Sequence, residues 1–170
     1  PGVADPLNDY ETQASDQASV PAAVVTKIDL DPGAAPEIGT HKSFEIEIAL
    51  PEGVTRDVVL TDDLVTGTTS YVFERNATFP VEIELIGIAS INGQPPSEAA
   101  LTSVPADGAR DTAVWSVGLV VTETEDDVAG AAIDPAIRIR YFGRIDNDLP
   151  TQAGSTLQNT VTFEYTNGET

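Results

Sequence analysis

Polar and apolar residues alternate along several short stretches of this chain, most cleanly in the segment Thr156–Tyr165. Leu157, Val161 and Phe163 fall on one face of that segment, and a period of two predicts a β-strand with one buried face. Asn159 falls in phase with these apolar residues. A buried amide needs hydrogen-bond partners, so Asn159 is either a hydrogen-bonded core residue or a residue that reacts.

The same alternation recurs upstream and predicts further strands. They cover Val24–Leu30, Lys42–Leu50, Asp57–Leu64, Ser70–Phe73, Val81–Ile91, Thr112–Val121 and Ala136–Phe142. Turn-forming Pro, Gly, Asn and Asp residues separate them, and no long segment carries a helical apolar stripe with caps. The pattern predicts an all-β fold, an antiparallel two-sheet sandwich of about seven to nine strands.

The two ends of the chain differ in pattern. Residues 1–22 are polar, punctuated by proline and without period, which predicts a linker or an edge segment. Residues 23–170 carry all the predicted strands, and we expect them to form one β-sandwich domain. Within it, a loop is expected from Asn92 to about Arg110, with one helical turn over Pro96–Leu101.

The alternation also assigns three charged residues to the inward or outward face of their predicted strands. Asp62 lies between Leu60 and Leu64 on the inward face of its predicted strand. Lys42 is in phase with Phe44 and Ile46, the inward apolar residues of its own predicted strand. Lys27 instead lies on the less apolar face of the first strand, and we therefore expect the opposite face to point inward.

Charge and composition narrow the function classes. The chain has 28 acidic and 8 basic residues and a net charge of −20. Such a surface repels nucleic acid and anionic membranes, so neither is expected as a partner. There is no cysteine, which excludes disulfides, thiol catalysis and thiolate metal sites. No apolar run is long enough for a membrane span, and no signal peptide is recognised.

Several short segments in this order resemble a known family. They are Val25–Lys27, Glu37–Gly39, Phe44–Ile46, Val59–Leu64, Val114–Gly118 and Leu157–Val161. The chain resembles the bacterial surface modules called DUF11 or isopeptide-forming fimbrial domains, over about residues 23–166. The resemblance implies an immunoglobulin-like sandwich on the bacterial cell surface. It also implies a structural stalk or spacer in an adhesin or pilus-like protein, a monomeric module whose partners are neighbouring domains of the same protein.

The resemblance also implies a covalent cross-link. In cross-linking members a lysine on the first strand forms an amide with an asparagine on the last, assisted by a carboxylic acid from a middle strand. The matching residues are Lys27, Asn159 and Asp62, with Lys42 as the alternative lysine. Each molecule would react once, so the protein is not expected to be an enzyme with turnover, and no cofactor is required.

A second hypothesis is a calcium-dependent module that binds a carbohydrate or another surface. Calcium prefers several oxygen ligands, and acidic residues in turns supply them. Of the acidic pairs in turns, Asp146 and Asp148 are the best candidates for such a site. Trp115, the only tryptophan, is expected to be a core residue and not a platform for sugar stacking.

Overall fold

The computed structural model describes residues 22–32, 37–66, 69–123, 134–147 and 159–167. The strands in these residues are β1 (Val24–Asp29), β2 (His41–Ala49), β3 (Val54–Asp63), β4 (Val65–Thr66), β5 (Thr69–Glu74), β6 (Glu82–Ile86), β7 (Ile88–Ile91), β8 (Thr112–Thr122), β9 (Ala136–Ile145) and β10 (Thr160–Asn167). They form two antiparallel sheets packed as a sandwich. The predicted all-β, immunoglobulin-like fold is confirmed.

One sheet has the strand order β1-β2-β9-β5-β4, with β6 pairing with β9 alongside β5, and the other has the order β10-β3-β8-β7. The first strand therefore lies at the edge of one sheet and the last strand at the edge of the other. A hydrogen bond joins these two edges, since the backbone N–H of Ala23 donates to the hydroxyl of Tyr165 at 3.1 Å.

The core lies between the sheets and consists of the inward residues of both. Its largest fully buried side chains include Trp115, Tyr141 and Phe73. The ring of Trp115 lies 5.6 Å from that of Phe73 and 5.5 Å from that of Tyr141, between ring centroids. Trp115 is thus a core residue, as predicted. Because the interior is close-packed, these rings fix one another's positions.

The expected orientation of β1 is wrong. Val24 and Ile28 are 56% and 51% exposed, whereas Lys27 faces inward with a side chain only 9% exposed. The cause is the register with β2, in which Lys27 lies opposite Ile46. Residues directly opposite in an antiparallel pair point to the same face. Ile46 is fully buried, so Lys27 points into the sandwich too.

The predicted single strand from Val81 to Ile91 is in fact two strands that belong to different sheets. Gly87 separates β6 from β7 and has a φ of 58°. This left-handed backbone conformation is open to glycine at little cost and lets the chain turn from one sheet to the other. Farther along, the expected helical turn is present as a 3-10 turn at Glu98–Ala100.

The outward face of the first sheet carries charged side chains paired across neighbouring strands. Arg138 lies between Glu47, at 2.8 Å, and Glu84, at 2.7 Å, and Arg140 contacts Glu45 at 2.5 Å. Opposite charges on adjacent strands stabilise their pairing modestly. No helix in the described ranges is both long and apolar enough to cross a membrane.

Candidate functional site: a buried polar cluster between the sheets

Four polar side chains from four different parts of the fold meet inside the sandwich. Lys27 comes from β1, Asp62 from β3 and Tyr141 from β9, and Asn159 immediately precedes β10. Two of these elements belong to each sheet, so the cluster exists only when the sheets are packed together. We call these four residues the buried cluster.

Asp62 is the centre of the buried cluster and is fully inaccessible to solvent. The Lys27 ammonium forms an ion pair with its Oδ1, and the Tyr141 hydroxyl donates a hydrogen bond to its Oδ2. The Asn159 Nδ2 donates to the Tyr141 hydroxyl oxygen at 3.4 Å. Three of the four are the residues that the family resemblance implied, and all four lie in one connected hydrogen-bonded group.

Strand register explains how Asp62 and Asn159 come together. Asp62 on β3 lies opposite Val161 on β10. Asn159 precedes Val161 by two positions and so lies on the same side of the chain. On the other side of β3, Asp62 is opposite Ala113 of β8, a small residue that leaves room for polar side chains.

Aromatic rings surround the lysine of the buried cluster. The Nζ of Lys27 lies 4.9 Å from the ring centroid of Phe44 and 5.4 Å from that of Tyr141. A cation over an aromatic face is attracted by the ring quadrupole. These rings also exclude water, so the Lys27–Asp62 pair is held in an environment of low dielectric constant.

Burial shifts both members of the ion pair toward their neutral forms. It lowers the pKa of Lys27 to about 8, although the charge and hydrogen bond of Asp62 act in the opposite direction. Burial also raises the pKa of Asp62, against the opposing effects of Lys27 and of hydrogen bonds from Tyr141 and Asn159. Proton transfer from the ammonium to the carboxylate is therefore easier here than between the same groups in water.

Tyr141 is the member of the buried cluster that sequence reasoning did not single out. Its pKa is raised well above the ordinary value, by burial first and by the charge of Asp62 second. The phenol therefore keeps its proton and can donate it in a hydrogen bond. The signal was present in the sequence, because Tyr141 is in phase with Ile137 and Ile139 on the inward face of its strand.

The carbonyl oxygen of Asn159 has an unusual environment. Its Oδ1 is buried and has no hydrogen-bond partner among the described residues. An unsatisfied buried acceptor costs on the order of 1–3 kcal/mol. The amide is thus held by its nitrogen, and its carbonyl group remains accessible to a donor within the cluster.

Lys42, the alternative lysine, is engaged elsewhere. It is only 5% exposed, and its ammonium donates to Asp29 Oδ2 at 2.7 Å and to the backbone oxygen of Asp31 at 2.6 Å. These partners lie at and beyond the end of β1. Of the two lysines, Lys27 is therefore the one that the fold brings to Asp62.

The candidate calcium ligand Asp146 is paired with arginines. Asp146 is 9% exposed and forms ion pairs with Arg110 and, at 3.9 Å, with Arg144. Asp148, its predicted partner, lies outside the described residues. Within the described ranges, no three His, Cys, Asp or Glu side chains are grouped in a way that could hold a metal ion.

Comparison of this chain with family models, with curated proteins and with solved structures finds no match. The geometry and electrostatics of the buried cluster are therefore the basis on which a function can be proposed for this chain.

Proposed function

We propose that this chain is a structural stalk or spacer module of a bacterial surface protein, stabilised by an intramolecular isopeptide bond between Lys27 and Asn159. The observation that carries the proposal is the contact of the Lys27 ammonium with the buried Asp62 carboxylate, in the same cluster as the Asn159 amide. The isopeptide bond would give a surface module without cysteine a covalent link between strands, and such a link resists force.

The proposed reaction begins with proton transfer from Lys27 Nζ to Asp62 Oδ1, which converts the ion pair into a neutral amine and a neutral acid. The amine is then a nucleophile and attacks the side-chain carbonyl carbon of Asn159. A new C–N bond forms, the bond to the original amide nitrogen breaks, and that nitrogen leaves as ammonia. The product is an amide that joins β1 to the start of β10.

Two physical effects support this chemistry. Burial moves the pKa of Lys27 down to about 8 and the pKa of Asp62 up, so the reactive neutral pair is more accessible than in water. The fold also holds the reacting groups together, and proximity of this kind can remove about 7–11 kcal/mol from a barrier. The protonated acid can further polarise the carbonyl group of Asn159, whose oxygen has no other described partner.

The position of the bond determines which parts of the chain it protects from force. Ala23, before β1, contacts Tyr165, near the end of β10, whereas Lys27 contacts Asp62, which is paired with Val161. The two edge strands therefore run in opposite directions, and the bond joins the ends that lie farther from the pulled termini. Force applied through the two ends of the chain passes through the bond and does not load the residues between 27 and 159.

This load path sharpens the expected mechanical role. Outside the bond, the first residues of β1 and the length of β10 remain on the path of force and can be peeled from their neighbours. Inside the bond, the core strands β2, β3, β8 and β9 are held in a closed loop. The module would thus yield by a short, defined extension and then resist further unfolding.

The experiment that tests the proposal is the intact mass of the purified, denatured chain by high-resolution mass spectrometry. We expect a mass lower than the sequence mass by one ammonia, and a cross-linked fragment that contains both Lys27 and Asn159. The full sequence mass would overturn the proposal. A loss of one water would instead assign the acyl group to an aspartate or glutamate, and would also contradict Asn159 as the partner.

A further inference from the structure

Tyr141 contacts both Asp62 and Asn159 through its hydroxyl group, in addition to packing its ring in the core. Its hydroxyl group lies between the two groups that must change during the proposed reaction. It donates to Asp62 Oδ2 and accepts from Asn159 Nδ2, at 3.4 Å, while Lys27 contacts the other oxygen of Asp62. The amine and the phenol thus approach the carboxyl group at different oxygens.

We propose that Tyr141 is a second catalytic residue of the cross-linking reaction: its hydroxyl holds the nitrogen of Asn159 and gives it the proton with which it leaves as ammonia. This inference rests on the proposed function, since it concerns the same reaction. The contact that carries it is the one between the hydroxyl oxygen and the departing nitrogen.

The leaving nitrogen needs a proton donor because an amide anion is a very poor leaving group. General acids in proteins contribute about 10²–10⁴ in rate when they are correctly placed. The carboxyl group of Asp62 is held at both oxygens, by Lys27 and by Tyr141. A hydroxyl proton, by contrast, can rotate about its C–O bond to a new acceptor. Tyr141 can therefore turn its proton from Asp62 to Asn159.

The reaction can be followed proton by proton, starting from the charged Lys27–Asp62 pair. Of the three protons on Lys27 Nζ, one passes to Asp62 before the attack, a second passes to Asp62 as the tetrahedral intermediate collapses, and the third stays on the new amide. Once the Lys27 ammonium no longer holds Oδ1, the neutral carboxyl group of Asp62 can turn its proton toward the phenol. Tyr141 gives its own proton to Asn159 Nδ2 as it takes this replacement from Asp62, so no free phenolate forms. Tyr141 ends as a neutral phenol, Asp62 keeps one proton, and ammonia departs.

Packing holds the phenol ring in place for this role. The ring of Tyr141 lies 5.5 Å from the rings of Phe44 and Trp115 and 5.6 Å from that of Phe73, between centroids. Replacing Tyr141 by phenylalanine keeps these contacts and removes only the hydroxyl group. Tyr71 offers a matched control, because it is also buried and its ring packs against Phe44 at 5.5 Å.

The experiment follows the rate of cross-linking in the whole chain made by cell-free synthesis, with samples stopped in acidic denaturant and read by intact mass. We expect Tyr141→Phe to slow the loss of ammonia at least about tenfold, and Tyr71→Phe to leave the rate unchanged. The fluorescence of Trp115 reports whether each variant has folded. A wild-type rate in Tyr141→Phe would overturn the inference and leave the proposed function intact.

A second series separates proton donation from a purely structural effect. Fluorinated tyrosines placed at position 141 by nonsense suppression keep the ring and the hydroxyl group but make the phenol more acidic. If Tyr141 donates the proton, the rate changes steadily with that acidity. A rate independent of acidity would overturn the inference even if Tyr141→Phe is slow or misfolded. A wild-type chain that never loses ammonia would overturn both this inference and the proposed function.

Discussion

Lys27 and Asp62 form a buried ion pair that connects the edge strand of one sheet to an inner strand of the other. The side chains are 9% and 0% exposed, so both charges are almost fully desolvated. A buried pair of this kind is an uncertain source of stability, because desolvation offsets much of the attraction. The proposed cross-linking reaction would give this pair a role other than stability.

Replacing Asp62 by asparagine should leave a folded chain that does not cross-link. The variant keeps the shape of the side chain but cannot accept the proton of Lys27. By the chain-entropy estimate for a closed loop of this size, losing the bond should lower the free energy of unfolding by about 5 kcal/mol and the melting temperature by about 10–20 °C. Calorimetry and intact mass measure these effects.

Asp63→Asn is the matched control for that experiment. Asp63 is the next residue on β3 and lies opposite Thr160 and Thr112 on the other face of the strand. The control should still lose one ammonia and should keep most of the thermal stability. Equal cross-linking in the Asp62 and Asp63 variants would contradict the role given to Asp62.

The two lysines should behave differently when each is replaced by arginine. Lys27→Arg should abolish the cross-link, because the guanidinium stays protonated and is not a nucleophile. Lys42→Arg should still cross-link, since that side chain pairs with Asp29 at 2.7 Å and an arginine can keep the pair. Intact mass decides between them, and the reverse result would assign the bond to Lys42.

The rate of cross-linking should depend on pH with a maximum below about 8. In the reactive state Lys27 is a neutral amine and Asp62 is protonated, so the pair has lost one of the two protons that it can release. Above the lowered pKa of Lys27, about 8, the second proton is lost too and no acid remains to assist. At low pH Asp62 takes a proton while Lys27 stays charged, so no nucleophile is present. Quenched time courses across pH measure the profile, and a rate that keeps rising above pH 8 would contradict it.

Single-molecule pulling on the two ends should distinguish the cross-linked chain from the Asp62→Asn variant. The cross-linked chain should extend only through the parts of β1 and β10 that lie outside Lys27 and Asn159. In the variant, the residues between these positions should also unfold and add about 450 Å of extended chain. Full-length extension of the wild-type chain would exclude a bond at these positions.

A calcium chelator should leave the melting temperature unchanged. Asp146 already forms ion pairs with Arg110 and Arg144, and these positive charges disfavour the binding of a cation at its carboxylate. Scanning calorimetry with calcium and with chelator provides the measurement. A clear decrease in melting temperature on chelation would favour the hypothesis of a calcium-dependent binding module.

The sequence by itself determined most of the strands and the inward position of two residues in the buried cluster. Alternation is a local property, because each residue of a strand points away from its neighbours regardless of the rest of the fold. Asp62 could therefore be placed in the interior from its position between Leu60 and Leu64. Asn159 could likewise be placed there from its phase with Val161.

Tertiary structure alone decided the face of β1 and the partners of the buried cluster. Local hydrophobicity predicts that Ile28 is buried and Lys27 exposed, yet pairing with Ile46 reverses both. The contact of Tyr141 with Asp62 depends on the packing of one sheet against the other. Register and sheet packing join residues far apart in the chain, and alternation within a single strand carries no information about either.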